Sequence, residues 1–368
     1  MINCLITGIV VIFIVLGAAD YLTGNHLGLG GEFERGMMTA GKLLLCMSGM
    51  LVLAPVLAQL LSPVTSPLLR AAGIDPSAMA GMFFANDSGG AALAEALADD
   101  PAMGQFHGLI SGAMLGTTVM FIIPLSIAAT TAEQRGPVVY GLACGIVTTP
   151  LGCIAGGMAA GFPWGDVIRN TVPILILALI LAAALVLCRQ AVTALLSGLG
   201  RAILVLSTVG LALASIQRLT GTVILPGMGS LDEVFIIVGG ICVFLAGIFP
   251  FLAAAQRVLA KPMGAIGRRL SVNSASVSGL LLALANGIPV TALLGEMDDR
   301  GRMLNTAFLV SASCVFGDHL AYTSQVAPEL TFGVIVGKLA GGLSALALAV
   351  YLLPKINCSP LSPGEKTV

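Results

Sequence analysis

Charge is what this sequence has least of. Only 10% of its 368 residues are Asp, Glu, Lys or Arg, 57% are hydrophobic, and the mean hydropathy is +1.01. A soluble globular domain carries about 25% charged residues, so this chain lacks the polar surface to face water. Its net charge of −1 and the absence of any basic run leave no footprint for nucleic acid. Histidine is also scarce, with His26, His107 and His319 alone, which argues against a His-based metal site. Eight cysteines are scattered without a CxxC pair, most of them in apolar runs where Cys acts as a small hydrophobe. Neither a disulfide framework nor a resident cofactor is expected. The opening stretch has no Lys or Arg before its apolar run, so it reads as a retained transmembrane helix rather than a signal peptide.

What is present is length of apolar run. Crossing about 30 Å of hydrocarbon takes roughly 17–25 apolar residues. Such segments fall at 3–20, 37–61, 77–97, 105–130, 137–161, 170–190, 201–219, 231–254, 274–296, 304–326 and 331–353. The expected fold is an all-α polytopic membrane protein of about 11 hydrophobic segments. It forms a single transmembrane domain over 1–354, with a disordered tail over 355–368. If every segment spans, the even-numbered loops hold Arg70, Arg135, Arg189, Arg201, Arg257 and Lys261, which places the N-terminus in the cytoplasm.

Two segments carry polar residues and helix breakers together: "FFANDSGG" with Asn86, Asp87, Ser88, Gly89 and Gly90, and "LANGIP" with Asn286, Gly287 and Pro289. Irregular backbone at membrane depth is tolerated only inside protein or beside a wet cavity, so both read as broken or re-entrant helices. Shifting the chain by 200 positions aligns them, with identities at Ala85/Ala285, Asn86/Asn286, Asp99/Asp299 and Ser111/Ser311. An internal repeat is expected, with cores at about 75–130 and 273–327. Broken helices at matching places in two halves point to a transporter binding site.

Asp87 and Asp318 are the carboxylates most deeply embedded in apolar sequence. An ionised Asp at the bilayer centre costs at least about 2.5 kcal/mol, so it faces a cavity or a partner. The structural alternative pairs either one with Lys338 or Lys42, or leaves it protonated in a packed interface. A half-helix over 77–86 ending near Gly89 and Gly90 would aim free carbonyls and its negative dipole end at the break, with Asn86, Asp87 and Ser88 adding oxygens. That grammar suits a small cation. Asn286 would do the same from the second half, with Pro289 preventing a continuous helix. His319 offers a proton-sensitive group or a plain interhelical hydrogen bond. Tyr322 and Gln325 follow on roughly the Asp318 face, and a Tyr ring could add a cation–π contact. Glu95, Glu296 and the "EMDDRGR" charges read as interfacial or solvated, and "TTPLGCIAGGMAAG" as close helix packing.

Enzyme readings fare poorly. An intramembrane aspartyl protease would want Gly-x-Gly-Asp, and "CVFGD" has Val315 in place of the first Gly. A Ser88/His319 hydrolase would have no nucleophile elbow.

With these residues in hand, the chain resembles the ethanolamine utilisation membrane protein family (EutH). The resemblance covers nearly the whole chain and rests on "EFERGMM", "LAPVLAQLLSPV", "DSGGAALAEALA", "GIVTTPLGCIAGG", "VGKLAGG" and, most specifically, "LANGIPVTALLGEMDDRGRMLNTAFLVSASCVFGDHL". It implies a carrier or facilitator taking ethanolamine across the bacterial inner membrane, with the lipid bilayer as its other partner and a homo-oligomer left open. Asp87 with Gly89 and Gly90, Asn286 with Pro289, and Asp318 with His319 carry over onto its pattern. The chain departs from that pattern after the double glycine, where Ala91 and Ala92 replace aromatics. A Na⁺- or H⁺-coupled exchanger using the same Asp pair is the alternative, and an intramembrane hydrolase a more distant one.

Overall fold

The computed structural model describes residues 2–353, and every element in that range is helical. The tail expected at 355–368 lies outside the described residues. In chain order the helices are α1 (Ile2–Leu22), α2 (Gly30–Met38), α3 (Ala40–Ala71), α4 (Ala78–Phe83) and α5 (Ala91–Leu97). Next come α6 (Pro101–Ala128, largely π-helical), α7 (Arg135–Ala159), α8 (Trp164–Thr220) and α9 (Leu231–Leu270). The chain closes with α10 (Ser274–Ala283), α11 (Gly287–Leu293), α12 (Asp299–Ala312), α13 (Asp318–Val326) and α14 (Thr331–Leu352).

Seven helices among the described residues are long and apolar enough to cross a membrane: Cys4–Leu22, Gly30–Ala71, Pro101–Ala128, Arg135–Ala159, Trp164–Thr220, Leu231–Leu270 and Pro328–Leu352. The expected segments at 170–190 and 201–219 are the two limbs of α8, separated by non-helical backbone at Cys188 (φ −132°, ψ 39°). Three further segments are each broken into two short helices: α4/α5, α10/α11 and α12/α13. The chain is an all-α membrane protein in which apolar sequence and continuous span are not the same thing.

Small residues set the closest packing. Gly152 and Gly156 of α7 face Gly333, Gly337 and Gly341 of α14, so tightly that a Cβ on Gly152 would sit 2.7 Å from the Gly337 carbonyl. In a bilayer, where helices gain little from burying oil against oil, such close approach is what holds them together. The "TTPLGCIAGG" stretch is thus a packing face, and it fixes the rotation of α14.

Polar side chains tie the ends. The buried Asp20 carboxylate accepts the N–H groups of Leu27 and Leu29 at 2.8 Å and of Gly30 at 2.9 Å, which closes the α1–α2 turn. Asp100 caps α6 by accepting from Ala102 N–H (2.9 Å), with Pro101 in the first turn where no N–H is needed. Asp298 caps α12 by accepting from Gly301 N–H (2.7 Å) and also accepts from Asn273 N–H (2.6 Å). Arg302, only 9% exposed, donates to the carbonyls of Leu294 (2.9 Å) and Gly295 (3.2 Å). The "EMDDRGR" run, expected to be a solvated loop, is instead a cap joining α11 to α12.

Candidate functional site

The first break begins earlier than the sequence suggests. Helix α4 stops at Phe83; Phe84 and Ala85 are extended, and a tight turn follows over Asn86–Gly90 with Gly89 at φ +87°. Only glycine adopts that conformation without penalty. The half-helix expected to run through residue 86 is therefore shorter, because Ala85 O accepts the N–H groups of Ser88 (3.2 Å) and Gly90 (3.0 Å). That carbonyl is engaged within the turn, and what the turn offers outward is Asp87 and Ser88.

The second break is knitted to a third that the sequence reading did not single out. After α10, residues 284–286 are non-helical; after α12, residues 313–317 are as well. The carbonyls of Ala283 and Leu284, orphaned at the end of α10, accept the N–H groups of Cys314 and Phe316, both at 2.9 Å. Each irregular stretch thus satisfies the other, as backbone removed from water must. Gly317 permits the contact, since a Cβ there would collide with the Ala285 carbonyl. Asn286 caps α11 by accepting from Ile288 N–H at 2.9 Å. Pro289 lies in the first turn of α11, where its missing N–H costs nothing. It follows the break rather than making it.

The breaks meet around one cavity of about 130 Å³. Its lining includes Asp87 and Ser88 from the first break, Asn286 and Gly287 from the second, and Asp318 and His319 from the start of α13. Lys42 and Cys46 of α3 also border it. Asp87 is 7% exposed and Asp318 half-buried. The Asp87 carboxylate accepts from the Ser88 hydroxyl (3.2 Å), and Asp318 accepts from the His319 N–H (3.1 Å). Neither forms an ion pair among the described residues; the four present join Arg35–Glu32, Arg70–Asp99, Arg218–Asp232 and Arg302–Asp299. Pairing of either Asp with Lys338 or Lys42 is not what the structure shows.

Lys338, treated in the sequence only as a candidate counter-ion, has a different place. It is 1% exposed on α14, donates to the Ala113 carbonyl of α6, and lies 3.0 Å from His319 Nδ1. The other ring nitrogen, Nε2, lies 3.4 Å from Thr117 Oγ1. A lone Lys within "FGVIVGKLAGGLSALA" was the signal for it. Cys314, Asp318 and His319 offer ligand atoms within 4.8 Å of one another. Both nitrogens of His319 already have partners, so a metal there would have to displace one of them.

Not every expected site residue joins this cavity. Asn86 is fully buried behind it, its Nδ2 donating to the His319 carbonyl (3.4 Å) and its Oδ1 without a partner among the described residues. Tyr322 lines a separate cavity of about 240 Å³, together with Ala91, Ala92 and Glu95. Gln325 is exposed, packs against Gly240 of α9, and donates to the Ser324 hydroxyl at 3.1 Å.

A family model described as "Ethanolamine utilisation protein, EutH" matches residues 2–352. A Listeria monocytogenes protein named "Probable ethanolamine permease EutH" is 41% identical, covering 95% of this chain and 94% of its own length. A Bacillus subtilis protein, "Uncharacterized protein YxeR", is 36% identical over 96% of this chain and 95% of its own. A Salmonella typhimurium protein, again "Probable ethanolamine permease EutH", is 36% identical over 89% of this chain and 86% of its own. No solved structure matches the chain.

Proposed function

Since the chain belongs to the ethanolamine utilisation protein EutH family, we propose that it carries ethanolamine across the bacterial inner membrane and that the Asp87/Asp318 cavity is its transport site. The observation that supports this most is the pair of carboxylates on one cavity, with no cationic side chain among the described residues within ion-pairing distance of either. Two such groups at membrane depth are costly unless a cation or proton joins them.

The substrate fits that description. Ethanolamine at neutral pH is an ammonium and a hydroxyl two carbons apart. Its ammonium is placed between Asp87 and Asp318, and its hydroxyl against Ser88 and the Asn286 amide, whose Oδ1 is already committed to capping α11. At about 130 Å³ the cavity is below the ~300–1,000 Å³ typical of drug-sized ligands, which favours a substrate of a few heavy atoms. Lys338 is set one residue layer back, behind His319, where it orients the ring without occupying the cation's place.

The test is uptake of labelled ethanolamine into liposomes holding the purified protein, with and without a pH or Na⁺ gradient. Saturable uptake by the wild type that is lost in Asp87→Asn and in Asp318→Asn is the expected result. A wild type that moves no ethanolamine but dissipates an imposed Na⁺ or H⁺ gradient would overturn it in favour of the exchanger.

A further inference from the structure

The transport cavity has a neighbour in register with it. On α3, Met47 lines the first cavity and Leu51 the second, four residues on. After the first break, Asp87 faces the first and Ala91 the second. On α13, Asp318 faces the first and Tyr322 the second. Three separate stretches therefore pass from one cavity to the other by the same four-residue step and in the same chain direction. On α3 and α13 that step is about one helical turn, some 6 Å, and across the tight turn at Asn86–Gly90 the same offset recurs, so the two cavities are stacked along one path.

The second cavity, about 240 Å³, has the chemistry to receive the same ligand. Glu95 of α5 and Glu233 of α9 both line it, and neither takes part in an ion pair among the described residues. Two acids alone would mean little on an exposed rim. Tyr322 is the independent observation: its side chain is 2% exposed and lines the cavity, and its hydroxyl has no hydrogen-bond partner among the described residues. That oxygen is not sealed within the packing but opens on the cavity, where a ligand can meet it. The small Ala91 and Ala92 leave the space open.

We propose that this second cavity is a vestibular binding site for a small primary ammonium bearing a hydroxyl. Glu95, with Glu233 opposite, takes the ammonium, and the Tyr322 hydroxyl meets the polar end. The ligand then passes along the shared faces of α3, α5 and α13 to Asp87 and Asp318. The proposal rests on reading the first cavity as the transport site.

Equilibrium binding of radiolabelled ethanolamine to the detergent-purified full-length protein tests it, with thermal stability followed for every variant. The wild type is expected to bind about two molecules per chain. Asp87→Asn/Asp318→Asn and Glu95→Gln/Glu233→Gln/Tyr322→Phe are each expected to retain about one. If the Asp variant binds none while the wild type binds one, the vestibular site is overturned and the transport site stands. If the Glu/Tyr variant keeps the wild-type stoichiometry, the vestibular site is likewise overturned. A wild type that binds a single ethanolamine, lost only in the Glu/Tyr variant, keeps the vestibular site and removes the reading of the first cavity. A wild type that binds none removes both. Glu95 and Glu233 are exposed and Tyr322→Phe keeps the buried ring while removing only its hydroxyl, so this variant is expected to fold and the comparison stays readable even if the Asp variant unfolds.

Discussion

The Lys338 ammonium lies 3.0 Å from His319 Nδ1, and this contact decides the state of the imidazole. An ammonium can only donate. Nδ1 therefore accepts, the ring proton sits on Nε2, and Nε2 donates toward Thr117 Oγ1 at 3.4 Å. With Lys338 as an ammonium, the histidine bordering the Asp87/Asp318 cavity is thus assigned one tautomer by a residue on another helix.

Removing that donor should be costly in two ways. Lys338→Met leaves Ala113 O and His319 Nδ1 without their partner, at ~1–3 kcal/mol for each buried group left unsatisfied. It also frees the ring to rotate. A lower thermal midpoint in detergent and at least a tenfold fall in ethanolamine uptake are expected. Lys338→Arg should not restore uptake, because a planar fork cannot replace a point donor in so closed a site. Normal uptake by Lys338→Met would show that the ring's orientation is immaterial.

Gly89→Ala tests whether the first break must turn as it does. The residue has φ +87°, which costs an L-residue ~1–2 kcal/mol. The added Cβ would also lie 2.5 Å from Met50 Cβ on α3. The turn carrying Asp87 should shift or unfold, with loss of uptake and a lowered melting midpoint. Gly239→Ala, with nothing within 4 Å of its Cβ, is the matched control and should behave as wild type.

Cys46 gives a direct view of occupancy. It borders the Asp87/Asp318 cavity and is exposed. In a variant keeping Cys46 as its only cysteine, saturating ethanolamine should slow labelling by a small thiol reagent several-fold. The same ligand should give no protection once Asp87→Asn is added. Equal labelling rates with and without ligand would place the bound cation elsewhere.

The sequence showed where helices must break but not what fills the breaks. "NDSGG" and "NGIP" were legible because polar residues and glycine stand out in an apolar chain. The break at 313–317 was not, since "SCVFG" looks like ordinary span, and its irregular backbone is stabilised by Ala283 and Leu284 some thirty residues away. Asp87 and Asp318 stood out as acids in apolar sequence; the first is buried, the second half-buried, and both line the same cavity. Tyr322 was placed with Asp318 by helical spacing, yet one turn of separation is enough to move it into the next cavity. The two limbs of α8 read as separate spans because Arg189 and Arg201 interrupt the oil between them, and non-helical backbone at Cys188 is where the two part. Lys338 was visible as a lone charge, but only the packing of α14 on α7 shows that it points at His319.

Surface acids should contribute little to the pH dependence of transport. Arg70 donates to both Asp99 oxygens, at 2.7 and 2.6 Å, and holds that carboxyl below its usual range. A lowered folded-state pKa means the contribution is complete above the unfolded value and fades as pH falls through the lower one. Between pH 5 and 8 the pair is unchanged, and solvent screening keeps its worth small. Arg70→Ala should therefore leave the pH profile of uptake over that window unaltered. A displaced profile would mean this helix-end tie is coupled to the Asp87/Asp318 cavity.

Filling the second cavity tests whether the route runs through it. Ala91 cannot take a large side chain, because its backbone packs against Gly108, where even a Cβ would lie 2.9 Å from Ala91 Cα. Ala92 is half-buried on the cavity wall and can. Ala92→Phe sets a ring in a space of about 240 Å³ beside Tyr322 and Glu95, leaving the residues around Asp87 and Asp318 untouched. If ethanolamine passes this way, the KM for uptake should rise at least fivefold and larger primary amines should be excluded first. Ala92→Ser, small and polar, should transport as wild type. Unchanged kinetics in Ala92→Phe with the protein folded would mean that the substrate reaches the paired aspartates by another path.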